Sequence, residues 1–119
     1  MKEKFLFPLA AFVVLVFASS AYAQVSYFPH QFYGSVTVNG VPAPDGVLVH
    51  AKHNNKDVEG GLTSGGKYGY GFPAFVVALH SSYAGDTIEF YVENVKAAEY
   101  LFAPGNHTQV DLSVSIPNF

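Results

Sequence analysis

The sequence contains no cysteine, no tryptophan and no arginine, and only 13% of its 119 residues are charged. Without cysteine there is no disulfide framework, no thiolate metal centre, no thioether-attached haem and no thiol nucleophile. Six lysines stand against nine acidic residues, and phosphate binding needs clustered cations, so the composition argues against a nucleic-acid partner. At this length the chain holds one small domain, and a multidomain enzyme is excluded. What it does have is apolar residues, 50% of the total.

That apolar content is unevenly spread. Seventeen of the first 23 residues are apolar, which leaves an ordinary globular fraction of about 44% in the remainder. Lys2 and Lys4 precede an uncharged run over residues 5–18, and Ala21-Tyr22-Ala23 supplies a small-x-small ending. This three-part pattern predicts a secretory signal helix over residues 1–23, cleaved after Ala23 to leave Gln24 as the new terminus. The run is shorter than the roughly 20 residues that span a bilayer, and Pro8 interrupts its start. Kept in place, it would anchor the domain on the outer surface, which is the only membrane association expected. Either way the expected location is secreted or cell-surface. The exported part has four lysines and eight acidic residues, a net charge of about −4. An exported domain without cysteine must rely on packing and strand pairing alone.

Beyond residue 31 the chain alternates with period two between Gly, Pro, Asn and Asp punctuation, which predicts short antiparallel strands. Phe32, Gly34, Val36 and Val38 fall on one face, and Asn39-Gly40 marks a tight turn. Val47, Val49 and Ala51 follow, ending at Asn54-Asn55. Residues 57–63 form a weaker strand, with a bulge expected at Gly60-Gly61. Residues 67–72 read as a strand with Tyr68, Tyr70 and Phe72 on one face, and residues 75–79 as a buried one. In residues 87–92, Ile88, Phe90 and Val92 oppose Thr87, Glu89 and Tyr91. Residues 95–102 and 108–114 complete the set, the last with Val110, Leu112 and Val114 inward. The expected fold is therefore all-β, a single antiparallel β-sandwich of seven or eight short strands, with a small closed barrel as the alternative. The domain is expected over residues 32–119. Residues 24–31, with Tyr27 and Phe28, read as a flexible N-terminal arm.

Particular motifs add a resemblance. The stretch Phe32-Tyr33-Gly34-Ser35-Val36-Thr37-Val38-Asn39-Gly40 is followed by Pro42-Ala43-Pro44-Asp45-Gly46. Thr63-Ser64-Gly65-Gly66-Lys67-Tyr68-Gly69-Tyr70, then Gly85-Asp86-Thr87-Ile88-Glu89-Phe90-Tyr91-Val92, then Thr108-Gln109-Val110-Asp111-Leu112-Ser113-Val114 continue the pattern. Together, over most of residues 30–114, they resemble carboxypeptidase regulatory-like domains of prokaryotic secreted and cell-surface proteins. The resemblance implies an immunoglobulin-like or prealbumin-like sandwich and a non-catalytic extracellular module with no shared catalytic residues. Between Tyr70 and Gly85 the chain departs from that pattern, with an apolar segment where a polar loop is expected.

Few residues invite chemistry. His50 and His53, three apart on a strand, face opposite sides and read as solvated strand-end histidines, so no metal site is expected. His80, Ser81, Ser82 and Asp86 are the residue types of a hydrolytic triad without its nucleophile motif, and read as a polar loop. Asp45, Asp57, Glu59 and Asp86 lack calcium-loop spacing. No catalytic residue and no cofactor is expected. Tyr33 and Tyr91, on outward faces, together with Tyr27 and Phe28, form the candidate binding surface. Asn106-His107-Thr108 is an N-glycosylation sequon in an expected turn. The leading expectation is a structural or adhesion module acting through protein–protein contacts, including self-association in which the arm adds a strand to a neighbour's sheet edge. The alternative is a carbohydrate-binding module using exposed tyrosines.

Overall fold

A computed structural model of the chain describes residues 28–119. The expected signal helix, the Ala23 cleavage site and Tyr27 lie outside the described residues. Ten strands follow in chain order. They are β1 (His30–Val38), β2 (Val41–Pro42), β3 (Leu48–His53), β4 (Lys56–Leu62), β5 (Lys67–Tyr68), β6 (Phe75–Val77), β7 (Thr87–Val92), β8 (Val95–Leu101), β9 (His107–Gln109) and β10 (Leu112–Val114). Among the described residues one turn of 3₁₀ helix forms, at Ser81–Tyr83.

Two sheets form. One is antiparallel, in the order β4-β3-β7-β8. The other is built around β1, which pairs antiparallel with β2, β5 and β6 and in parallel with β9 and β10. The all-β architecture thus stands, but the expectation of a purely antiparallel sandwich is corrected to one antiparallel and one mixed sheet. Alternation alone marks a strand's faces and leaves its partner's direction open.

The period-two patterns place the core as the sequence predicts. Phe32, Val36 and Val38 of β1 are buried, as are Val49 and Ala51 of β3, Ile88, Phe90 and Val92 of β7, and Leu112 and Val114 of β10. Phe32 meets Phe90 edge-on, with ring centroids 4.9 Å apart. Burying each such ring contributes about 2 kcal/mol. The tight turns also fall where expected, with Asn39 (φ 55°) and Gly40 (φ 81°) joining β1 to β2, and Asn54 (φ 51°) and Asn55 (φ 64°) joining β3 to β4. Positive φ at both central residues matches the twist of hairpin strands.

The strand count exceeds seven or eight because Val41–Pro42, expected as a connection, pairs with β1 as β2, and because one expected strand is split, while another is shortened. The line over residues 108–114 becomes β9 and β10 with one unbroken register against β1, Tyr33 opposite Gln109 and Val36 opposite Leu112. Between them the Asp111 carboxylate takes the Ser35 N–H at 2.9 Å, in place of a ladder bond. After β5, Gly69 (φ 78°) and Gly71 (φ 69°) turn the chain away, so Tyr68 is buried while Tyr70 and Phe72 project outward, not on one face with it. The bulge in β4 sits at Val58, where the register shifts opposite Ala51 and Lys52, and not at Gly60-Gly61.

β1 begins at His30, so residues 30 and 31 belong to the sheet and not to the expected arm over residues 24–31. His30 is fully buried and Gln31 pairs with both Val76 and His107.

Candidate functional site

A groove of about 620 Å³ lies between the end of β4 and the loop after β5. Its floor is Gly60 and Gly61, its walls Leu62, Tyr70 and Phe72, and its inner end Phe75. The walls are unusually open for apolar side chains. Phe72 is 99% exposed, Leu62 65% and Tyr70 50%. Contiguous exposed apolar surface of this kind marks contact sites in soluble domains.

Local sequence builds this shape. Gly69 runs so close to β1 that a Cβ there would overlap the Phe32 carbonyl oxygen. Its positive φ then swings residues 70–74 outward, over the β4 edge. Tyr70 is held upright by Tyr33, edge-on at 5.3 Å, and by the Lys67 ammonium 5.2 Å from its ring centre.

β4 pairs with β3 alone, so its other side is an open edge. Thr63 N–H donates to Val47 C=O at 2.9 Å, which turns residues 61 and 63 toward β3 and, by alternation, the backbone of Gly60 and Leu62 toward the groove. With no side chain at 60 or 61, an approaching chain meets the backbone directly, at the Gly60 C=O and at Leu62. Glu59 closes the far end. Its carboxylate accepts from its neighbour Gly60 N–H at 2.9 Å and from Val76 N–H at 2.8 Å, strapping β4 to β6 across the two sheets.

The residues singled out from sequence are scattered around this frame. Tyr33 is half-buried in the mixed sheet, its ring against Tyr70 and 4.5 Å from that of His107. Tyr91 is half-buried in the other sheet, stacked on His50 at 5.3 Å with Lys52 Nζ 4.9 Å from its ring centre. The two tyrosines therefore do not make a common platform. Phe28 is 54% exposed ahead of β1. Asn106 is exposed in the turn before β9, its carbonyl accepting from Gln31 N–H, while the Thr108 hydroxyl of the same sequon lies 2.7 Å from His30 Nε2.

The histidines are not the solvated groups expected. His53 is buried, its Nε2 2.8 Å from Asp86, and His50 bridges Asp57 and the Glu93 carbonyl at 2.8 and 2.6 Å. Asp86 is thus committed to His53, whereas His80 Nδ1 caps the 3₁₀ turn, accepting from Ser82 N–H at 3.1 Å beside the Ser82 hydroxyl. The triad residue types are not assembled. Asp45 accepts from Gly65 N–H, Asp57 faces His50 and Glu59 straps β6, so the four carboxylates serve four separate places. Among the described residues no group of three or more His, Cys, Asp or Glu is placed to hold a metal ion, and no helix is long and apolar enough to cross a membrane.

Electrostatics elsewhere serve the fold. Burial pushes the Tyr68 phenol up, with Asp111 and Tyr70 adding to it, and its hydroxyl donates to Val110 C=O at 2.7 Å. Hydrogen bonds to Glu99 and Glu89 raise the Lys96 ammonium. The Ser35 N–H, followed by Gln109, holds the Asp111 carboxyl below the usual range.

Sequence reading missed both the groove and His30. A Gly-x-Gly signal around Tyr70 and the apolar run after it could have flagged an outward turn. Nothing local marks His30 as buried. Comparison with protein-family models and with curated proteins gives no match.

Proposed function

We propose that the protein is an exported, non-catalytic β-sandwich module that acts through protein–protein contacts at the groove beside β4. Exposed Phe72 and Leu62 flanking an open strand edge carry this reading, since together they offer both apolar burial and backbone hydrogen bonding. The signal-like first 23 residues and the resemblance to carboxypeptidase regulatory-like domains support export and a structural or adhesion role. Carboxylates and histidines engaged in separate pairs are consistent with a module that performs no chemistry.

The test is made in the native host. Leu62→Glu with Phe72→Ser alters only exposed side chains, so the thermal midpoint should hold, as surface changes usually shift stability by about 0.5 kcal/mol or less. Size fractionation of native envelope extracts should move the protein from a larger complex to free monomer. Wild-type protein that already runs as free monomer overturns the reading, and so does a variant that stays in the complex.

A further inference from the structure

We propose that the groove beside β4 takes the N-terminal arm of a second copy of this chain, residues 24–28, as an added strand on the open edge at residues 60–62. This rests on the reading of the groove as a protein contact and names its partner. Three observations point the same way.

The first is the direction in which the arm leaves. β1 runs antiparallel to β6, with His30 opposite Val77 and Phe32 opposite Phe75. The chain ahead of His30 therefore departs past Val77, whereas the groove lies at the Phe75 end. Pro29 C=O is held by Gly105 N–H at 3.0 Å, in the turn before β9, on the flank of β1 away from β6. Residues 24–29 extend at most about 20 Å, and Pro29 restricts the residue before it to extended conformations. From that starting point an arm of this length is placed to serve a neighbour's groove and not its own.

The second is the chemistry of the arm. No side chain of Gln24-Val25-Ser26-Tyr27-Phe28 is charged, and Val25 and Tyr27 alternate with Gln24 and Ser26, a pattern that suits an added strand with one apolar face. The exported part carries net negative charge, so copies repel in general. An arm without acidic side chains avoids that penalty, and the charged residues of the groove are already engaged, Glu59 by two N–H groups and Lys67 over Tyr70.

The third is the edge itself. The Gly60 C=O and the Leu62 N–H and C=O face outward to supply the ladder, the Gly60 N–H being held by Glu59, and the glycines let a strand approach. Arm and groove are different surfaces on one molecule, so the contact is head-to-tail and propagates into rings or filaments.

The absence of cysteine gives a clean background for the test. Chains beginning at Gln24 with Val25→Cys, Ser26→Cys or Tyr27→Cys are each mixed with Leu62→Cys and mildly oxidised. Interchain disulfides should alternate in yield along positions 25, 26 and 27, as a strand requires. The best position should link at least about ten-fold faster than the same variant mixed with Thr87→Cys, because docking raises the effective concentration. Unmutated chain should also form larger species with concentration in sedimentation velocity, and a free peptide of residues 24–29 should disperse them. Uniform linkage no faster than the Thr87 control overturns the arm as occupant. If native extracts still hold the protein in a Leu62- and Phe72-dependent complex, that failure leaves the protein-contact reading standing. Monomer at every concentration likewise overturns the second copy as partner.

Discussion

His30 shows how much a single side chain ties together. Ala103 N–H donates to its Nδ1 at 3.0 Å, so Nδ1 is the acceptor and Nε2 carries the proton toward the Thr108 hydroxyl. The ring also stacks on Phe32 with centroids 3.9 Å apart. The neutral imidazole is thus built into the core, and burial lowers its pKa from 6.5. Above that value folded and unfolded chains are both neutral at this site, and pH has no effect through it. Below it the unfolded chain takes up a proton that the folded chain resists, so stability falls with pH until the folded group also titrates. Urea unfolding between pH 7.5 and 5 should show this loss. His30→Gln should remove that share of it while costing about 1–2 kcal/mol at neutral pH from the altered bonds. An unchanged acid slope in His30→Gln would refute the assignment. Asp111 acts lower on the scale. Its depressed carboxyl contributes stability above the ordinary value of 3.8 and loses it as pH falls through the folded value, a second and separate acid phase.

At the scale of elements, the strap between β4 and β6 is the decisive feature. Val76 faces away from β1 with its N–H, a position that would be a raw edge without the Glu59 carboxylate. Glu59→Ala should therefore speed amide exchange at Val76 markedly while leaving Val36 and Val92, deep in the sheets, protected. Equal acceleration at all three would mean that Glu59 matters only to global stability. The elements also show what sequence could reveal. β1 and β7 were legible because one face is wet and the other dry, which imprints a period of two on the chain. Tyr70 and Phe72 were misplaced because their spacing continued that period, while Gly69 and Gly71 broke it through backbone geometry. Gly34 falls on the core face by alternation, and it is buried. Its lack of a Cβ matters for a non-local reason, since the Val110 carbonyl oxygen occupies that space and receives the Tyr68 hydroxyl.

Over the whole molecule, the all-β class and most of the core could be read from alternation, but the parallel pairing of β1 with β9 and β10 could not, because parallel partners are set by tertiary closure. The groove was illegible for the same reason. It joins β4, the loop after β5 and the start of β6, segments whose proximity depends on the two sheets being packed together. Sequence directed attention to Tyr33 and Tyr91, which the fold places in different sheets, each covered on one side. The groove, with Phe72 at its rim, is the proposed place where the protein meets other protein. Its most direct test places a photo-crosslinking benzoylphenylalanine at position 72 in the native host, with position 113 on exposed Ser113 as the control. Protein adducts are expected from position 72, copies of this chain among them, and only background from position 113. Adducts from position 72 that do not exceed those from 113, or that contain only carbohydrate, would contradict it.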